Sequence, residues 1–544
     1  MTPAQPRIVV LGAGYAGLLF TTRLAGQIAP QDAQITLVNE SATFTERLRL
    51  HQFATNQTIP PRPIAETLRG TSVRFELGRV GRLDPEARTV HIREDGQTRV
   101  LAYDYLVYAL GSLTDRQRVP GVAEHAYTLV PRGPLSAAAL RERLPELATR
   151  HGRVLVAGGG ATGIETAAEF ATAYPCLHVR LVTDGTLGQA WGKGVAAYVR
   201  RSLTRSGVTI DDETLITAVR ADGVVTAAGS VIPADLVIWT GGFVAPTLAR
   251  EAGLPVNARD QLVIDPYMRV LDHPEIYAVG DAAAPREEPG VPVRMSAFTA
   301  QILGAHGADA LADVLRGRPP KPLSLAYVGQ GIALGRADAI GFNSYPRDKP
   351  HRPYFTGRLA WWFREYGTRY LASLPGIERS RPGSYTWLGK GRYAAARRRR
   401  ERGAATQARR GTVLVFGIGG RLLNPLMARL AGQRVAPGFA VVSHRGRRSG
   451  RVYATPVVVR PTADGFVIPL PFGERTDWYR NVRAAAEGMI RWNGADYRVV
   501  EPRLEEWASA RPAFHGVARV AVPLLGIRRF VHLRRAALAE RGAA

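Results

Sequence analysis

Residues 7–20 read Arg7-Ile-Val-Val-Leu-Gly12-Ala-Gly14-Tyr-Ala-Gly17-Leu-Leu-Phe20, and they place three glycines between an apolar run and a helical pattern. This is the strand, turn and helix setting that a Gly-x-Gly-x-x-Gly nucleotide loop requires. The first glycine of such a loop permits a tight turn, the second lets a pyrophosphate approach the backbone, and the third lets helix and strand pack closely. A single loop of this kind is weak evidence, because the pattern is short.

A second loop of the same type begins 146 residues after the first. It reads Gly158-Gly-Gly160-Ala-Thr-Gly163 and lies between the apolar run 153–157 and a helical pattern from Ile164. Each loop would meet phosphates at the positive end of a helix dipole. Two loops predict two dinucleotides, and therefore an α/β protein with two Rossmann-like domains.

An acidic residue is expected at the tip of the second strand of each domain, where it takes the ribose hydroxyls of the nucleotide. Glu40 follows the strand pattern 35–39 and fits the first domain. In the second domain Asp184 arrives one place later than the simple pattern predicts. The acid favours NADH over NADPH, although the many arginines, including Arg180, leave room for a 2′-phosphate.

The composition indicates a globular chain of three or four domains, since it has 544 residues with 46% hydrophobic and 22% charged. No run of about 18 uncharged apolar residues predicts a transmembrane helix. The net charge is +26, but only four of the 72 basic residues are lysine and no nucleic-acid motif is visible. We therefore expect no nucleic-acid partner, and no pattern predicts a metal site or a catalytic acid or base.

The order of the remaining motifs carries a family resemblance. Each loop is followed by an apolar strand that runs into glycine, at 103–112 and at 234–242, and Gly280-Asp281 then precedes a helix predicted from Ser296 to Leu315. This order resembles the two-dinucleotide-binding flavoproteins, and more closely the type II NADH dehydrogenases, over residues 6–388.

The resemblance implies that FAD and NAD(P)H are the two dinucleotides, and that Asp281 hydrogen-bonds the ribityl chain and phosphate of FAD. A helix-capping role is the alternative for Asp281, and a core position is the alternative for Val80. The residues implied to hold FAD are Gly12, Gly14, Gly17, Glu40, Val80, Gly111, Gly280 and Asp281. Those implied to face the nicotinamide nucleotide are Gly158, Gly160, Gly163, Glu165 and Asp184.

The electron acceptor is a separate question. The single cysteine, Cys176, excludes a dithiol relay beside the flavin, so electrons must leave the flavin directly. A quinone is the predicted acceptor, with a soluble dye or nitro compound as the alternative. Only half of the family's quinone-site pattern survives in residues 299–306, and the aromatic stretch 359–366 fits either a docking surface or core packing.

The C-terminal part predicts a different fold. After the basic stretch 389–410, residues 411–537 read as alternating strands typical of a small β-barrel. The Gly-Arg-Arg-Ser-Gly turn at 446–450 and Asp-Trp-Tyr-Arg-Asn-Val at 477–482 resemble the deazaflavin-dependent nitroreductases, which are split-barrel proteins. The resemblance implies that Arg447, Arg448 and Ser449 contact coenzyme F-420, while a solvated hairpin tip is the alternative.

The resulting prediction is an FAD-dependent NAD(P)H oxidoreductase with a deazaflavin-type domain. The alternative is a dehydrogenase whose C-terminal part only binds a cofactor or docks on a membrane. We expect a cytoplasmic protein, with peripheral association at the inner face of the cell membrane as a variant of that prediction. The predicted domains are FAD-binding at 1–115 and 259–325, NAD(P)H-binding at 116–258, an interface segment at 326–388, a linker at 389–410 and a split barrel at 411–544.

Overall fold

The computed structural model describes residues 5–287, 291–344, 350–390, 438–447, 450–470, 476–515 and 529–536, together with 433, 474, 519, 522 and 527. The chain divides into two compact units, Met1–Arg402 and Gly403–Ala544. Within the described parts, no helix is both long and apolar enough to cross a membrane.

The first unit contains a six-stranded sheet built around the first glycine loop. Its strands are apolar on both faces, as expected of parallel strands covered on both sides. All neighbours pair in parallel except the first two. In spatial order the strands are Arg269–Val270, His273–Ala278, Tyr105–Tyr108, Arg7–Leu11, Gln34–Asn39 and Arg74–Leu77.

A second, five-stranded parallel sheet surrounds the second glycine loop and has its own core. Its strands are Thr209–Asp211, His178–Val182, Arg153–Ala157, Leu236–Trp239 and Ala126–Tyr127. The two sheets confirm the predicted pair of Rossmann-type domains. Residues after 262 return to the first sheet, so the first domain is assembled from two separate parts of the chain.

The remaining elements of the first unit are short or connect the two domains. The helices are Tyr15–Ala25, Leu50–Ala54, Ile64–Leu68, Val122–His125, Ala137–Thr149, Ala161–Ala173, Gly192–Arg205, Leu248–Glu251, Ala297–Leu315 and Gly357–Ser380, with 3-10 turns at Arg47–Arg49, Gln189–Trp191 and Gly280–Ala282. The small antiparallel sheets contain Arg79–Asp84, Thr89–Glu94 and Gln97–Ala102; Ile216–Arg220, Gly223–Thr226 and Val231–Pro233; and Gly329–Ala333, Ala339–Asn343 and His351–Thr356. The two-stranded pairs are Leu113–Thr114 with Phe243–Val244, Leu262–Val263 with Ala283–Ala284, and Arg286–Glu287 with Val291–Pro292.

Small residues bring the helix Ala297–Leu315 onto the helix of the first glycine loop. A β-carbon on Gly304 would lie 2.4 Å from the carbonyl oxygen of Ala16, and one on Gly280 would lie 2.8 Å from the Ala16 β-carbon. The side chain of Ser296 caps the helix by accepting from the Thr299 N–H at 3.3 Å. The predicted helix is therefore present, with Ser296 as its cap.

Histidine 306 lies inside this helix contact and makes the stability of the first unit pH-dependent. It is 5% exposed, and burial lowers the pKa of His306 to about 4. An unfolded histidine titrates near about 6.5, so between these values the unfolded chain takes up a proton that the folded chain excludes. Stability is thus complete above the unfolded pKa and falls as the pH drops towards 4.

We expect this histidine to remove up to about 3 kcal/mol of stability between pH 6.5 and 4. Urea unfolding at pH 7, 5.5 and 4.5 should show a steeper loss for the natural chain than for His306→Gln. The exposed His178 gives a matched control, since His178→Gln should keep the full slope. Equal slopes for the natural chain and His306→Gln would contradict the assignment.

The second unit contains one antiparallel sheet of seven described strands with the helix Asp477–Ala485 packed on it. In spatial order the strands are Val452–Val458, Phe439–Arg445, Glu487–Trp492, Ala495–Glu506, Arg529–Arg535, Gly465–Pro469 and Arg460–Pro461. The helix Trp507–Ala510 and the 3-10 turn Arg511–Ala513 complete the described elements.

The two outer strands of this sheet are neighbours in sequence. Val452–Val458 and Arg460–Pro461 lie at opposite edges, yet the fully buried Val459 alone separates them. A sheet whose edges are joined by one residue must curl back on itself, so the sheet forms at least half of a barrel. The apolar stretch 413–430, the basic stretch 391–410 and part of 517–531 lie outside the described residues.

Candidate active site

The first glycine loop has the three local environments that a pyrophosphate-binding turn needs. Gly12 has φ of +95°, and a β-carbon there would lie 2.6 Å from the Ala109 carbonyl oxygen. A β-carbon on Gly17 would lie 1.9 Å from the Gly12 carbonyl oxygen. Gly14 differs, because nothing lies within 4 Å of the position that its β-carbon would take. The loop is closed by packing at its ends and open to a ligand at its centre.

The second loop repeats this geometry. Gly158 has φ of +118° and would crowd the Thr240 hydroxyl at 2.7 Å, while a β-carbon on Gly163 would lie 1.9 Å from the Gly158 carbonyl oxygen. Gly160 again faces open space within 4 Å. Because Gly14 and Gly160 are the residues preceding their helices, each opening lies at a helix N-terminus, where N–H groups and the dipole favour phosphate.

The tips of the second strands place the predicted acids in solvent. Glu40 and Asp184 are both exposed and directly follow or lie two residues after the strands Gln34–Asn39 and His178–Val182. Asn39, which sequence reasoning missed, braces the first loop by accepting from the Ala13 N–H at 2.9 Å. Its signal was its place at the strand end, where an amide side chain reaches the loop backbone.

Asp281 meets the end of the strand that carries Gly111. Its carboxylate accepts a hydrogen bond from the Ser112 hydroxyl at 2.8 Å. Burial raises the pKa of Asp281, although the Ser112 hydrogen bond and the Arg47 guanidinium oppose the shift. Gly111 and Gly280 have φ of +71° and +74°, so both turns that lead to this contact favour glycine.

Arg47 is a second residue that the sequence did not identify. Burial lowers the pKa of Arg47, and the nearby charge of Asp281 offsets part of that effect. No motif marks an arginine in the stretch 45–49, which explains why it was missed. Val80 lies on the strand Arg79–Asp84 and packs half-buried against the first core, so both its backbone role and its core role stay predictions.

Glu165 lies in a buried ion-pair network. Its carboxylate accepts from Arg364 at 2.7 Å and from the Ala333 N–H at 2.9 Å. Arg364 also bonds Glu365 at 2.7 Å, and Glu365 accepts from Gln52 at 2.8 Å. Burial alone would lower the pKa of Arg364, but the two carboxylates hold it above its ordinary value. The predicted contact of Glu165 with the nicotinamide nucleotide stays a prediction, because this carboxylate already has protein partners.

In the second unit, Arg447 fixes the direction of a hydrogen-bond chain. Arginine can only donate, and Arg447 donates to the Asn481 carbonyl at 2.8 Å and to Asp477 at 2.9 Å. The Asn481 amide nitrogen must then donate to His444 Nδ1 at 3.1 Å, so His444 carries its proton on Nε2 and donates to the Thr455 hydroxyl at 3.0 Å. Burial lowers the pKa of His444, which agrees with a neutral ring.

The cofactor role predicted for Arg447 stays a prediction, since its guanidinium has two protein partners. The neighbouring predicted residues Arg448 and Ser449 lie outside the described residues.

Two Rossmann-type domains in one unit, each with a loop that is open only at its central glycine, define a protein that binds two dinucleotides. The buried Asp281 and Ser112 pair, next to the first of these loops, suits a flavin nucleotide with hydroxyl groups to bond. The chain belongs to the pyridine nucleotide-disulphide oxidoreductase family, whose profile matches residues 6–302. It is an FAD-dependent NAD(P)H oxidoreductase.

Curated relatives share moderate sequence identity. The chain is 31% identical over 363 residues to the demethylphylloquinone reductase NdbB of Synechocystis, covering 62% of this chain and 87% of the relative. It is 26% identical over 384 residues to a type II NADH:quinone oxidoreductase of Haemophilus influenzae, covering 61% and 86%.

Solved structures share the fold. The NDH2 of Plasmodium falciparum in complex with NADH superposes with a TM-score of 0.59 at 16% identity, covering 70% of this chain and 99% of that one. The sulfide:quinone oxidoreductase of Aquifex aeolicus gives 0.58 at 20% identity, covering 68% and 91%. At this identity the likeness is one of fold alone.

Proposed function

We propose that the chain oxidises NADH at the second glycine loop and delivers the electrons to a quinone. The observation that carries this proposal is the pair of open loops at Gly14 and Gly160, which provides two dinucleotide cradles in one unit. The quinone is supported by relatives named as a demethylphylloquinone reductase and as NADH:quinone oxidoreductases.

The residues of the first domain fit an FAD nucleotide. The Gly14 backbone and the helix behind it would hold the pyrophosphate, Glu40 the adenosine ribose, and Asp281 with Ser112 the ribityl hydroxyls. When bound, FAD supplies the two-electron chemistry that connects a nicotinamide donor to a quinone. Gly160 would hold the pyrophosphate of the nicotinamide nucleotide, and Asp184 its ribose.

The proposal is tested by titrating the purified flavoprotein with NADH without oxygen and then adding a water-soluble quinone. Bleaching of the flavin absorbance by NADH and its recovery with quinone are the expected results. A flavin that NADH does not bleach would overturn the donor, and a bleached flavin that quinone does not reoxidise would overturn the acceptor.

The strand tip of the second domain favours NADH. Asp184 is exposed where the 2′-hydroxyl is expected, and it would repel a 2′-phosphate. Arg180, the nearest basic candidate on that strand, lies 3.2 Å from Asp211 and is engaged by it. The geometry therefore offers the adenosine ribose an acid and not a free arginine on this strand.

Asp184→Ala is expected to lower the ratio of kcat/KM for NADH to that for NADPH about tenfold, since it removes a charged hydrogen bond and a repulsion. Asp222→Ala, which removes an exposed aspartate of the same domain, is the matched control and should leave the ratio unchanged. An unchanged ratio in Asp184→Ala would place the ribose elsewhere.

An exposed aromatic face supports docking at a membrane, where a quinone would be reached. Phe355, Leu359 and Trp362 are 42%, 61% and 41% exposed at the start of the helix Gly357–Ser380. Large apolar side chains grouped in solvent are typical of interaction surfaces. Flotation of the full chain with anionic liposomes should weaken in Leu359→Ser with Trp362→Ser, and equal flotation would remove this face from the proposal.

For the second unit we propose an anionic cofactor site of the deazaflavin type. The support is local: a curled antiparallel sheet whose 445–451 turn exposes Arg445 and Arg451 beside the braced Arg447. Binding of coenzyme F-420 to the full chain, weakened in Arg447→Ala, is the expected result. Absence of binding would favour the alternative of a C-terminal module without turnover.

A further inference from the structure

A cavity of about 520 Å³ lies beside the paired strands Leu113–Thr114 and Phe243–Val244. These strands are the places where the chain crosses from the first domain to the second and back. Neither glycine loop lines the cavity, and Asp281 does not line it either. The cavity is therefore a separate feature from the two predicted dinucleotide cradles.

Two arginines give this cavity a positive charge. Arg118 and Arg259 both line it and are exposed, and within the described part of the chain neither guanidinium makes a hydrogen bond or an ion pair. Asp115 also lines the cavity, but its carboxylate is directed to the backbone, accepting from the N–H groups of Gln117 and Arg118 at 3.0 and 3.2 Å. The aspartate thus fixes the turn that presents Arg118.

The rest of the lining includes apolar side chains. Phe243, Val244 and Met295 are half-buried and contribute to the cavity wall. Guanidinium groups match carboxylate and phosphate with paired hydrogen bonds, while apolar walls accept a ring or chain. We infer that this cavity binds an organic anion, with its carboxylate or phosphate at Arg118 and Arg259 and its apolar body against Phe243.

Such a ligand would act on the connection between the domains. The Asp115 N–H donates to the Gly242 carbonyl at 3.2 Å, so the two crossings are already joined at the cavity wall. An anion held by Arg118, on the first crossing, and by Arg259, which follows the second, would join them further. The anionic group has two possible sources: a separate small molecule, or the phosphates of the nicotinamide nucleotide.

The test uses the full-length flavin-loaded protein and the double variant Arg118→Gln with Arg259→Gln. Arg143→Gln with Arg150→Gln is the control, because it removes two exposed arginines of the same unit and the same total charge. Binding of 1-naphthoate is measured by calorimetry, and the KM for NADH is measured by steady-state kinetics. Flavin content and flavin bleaching by NADH are recorded for all three proteins.

We expect the double variant to weaken 1-naphthoate binding at least tenfold, or to raise the KM for NADH at least tenfold, with the control unchanged. The first result identifies a separate anion, and the second identifies the phosphates of the nucleotide. If neither value changes, or if the control changes equally, the site is overturned. Failure of the proposed dehydrogenase is distinguishable, since it would appear as a natural chain whose flavin NADH does not bleach.

Discussion

Gly14→Ala is expected to yield a folded protein that no longer retains FAD. The backbone of Gly14 has φ of −75°, which alanine adopts without strain, and its β-carbon would meet no protein atom within 4 Å. The added methyl group can therefore disturb only what occupies the opening. A pyrophosphate that contacts this backbone would be displaced, and we expect FAD affinity to fall at least about a hundredfold, through overpacking and lost charged hydrogen bonds.

The measurement is the ratio of flavin to protein absorbance after gel filtration, with thermal unfolding of the flavin-free proteins as the check on folding. Gly160→Ala is the matched variant, because its backbone and surroundings are equivalent. It should retain flavin and instead raise the KM for NADH by a similar factor. Retention of FAD by Gly14→Ala, or loss of flavin from Gly160→Ala, would contradict the assignment of the two loops.

These loops were predictable because their geometry is local. A tight turn, an open approach and a close helix contact are each required of a particular glycine within six residues, so the pattern alone indicates them. Asp281 was predicted by its place after a strand, but its partner Ser112 was not. The two residues are 169 positions apart and meet only because the strands Tyr105–Tyr108 and His273–Ala278 pair in parallel.

The buried ion pairs show why the rest was not predictable. Glu165 and Arg364 are 199 residues apart, and neither lies in a pattern that a partner would impose on the sequence. Their contact depends on how the helix Gly357–Ser380 returns to the nucleotide domains. Such placements are set by tertiary packing, whereas charge identity in the sequence is compatible with exposure.

Glu378→Ala should cause the largest loss of stability. Glu378 is fully buried and accepts from Arg23 at 2.6 Å and from the N–H groups of Gly383 and Tyr385 at 2.6 and 2.8 Å. Arg23 is itself only 3% exposed, and its other carboxylate partner is Asp309. Removing Glu378 therefore leaves two N–H groups and part of a buried guanidinium without partners.

Breaking a buried pair in this way costs about 3–5 kcal/mol, because a charge is left in an environment that solvates it poorly. Thermal and urea unfolding of the flavin-free protein should both show the loss. Glu142→Ala, an exposed glutamate on the helix Ala137–Thr149, should change stability by less than about 0.5 kcal/mol. Since Arg23 lies on the helix of the first glycine loop, the same variant should also weaken FAD retention. A Glu378→Ala protein as stable as the Glu142→Ala control would show that water or a shifted backbone replaces the carboxylate.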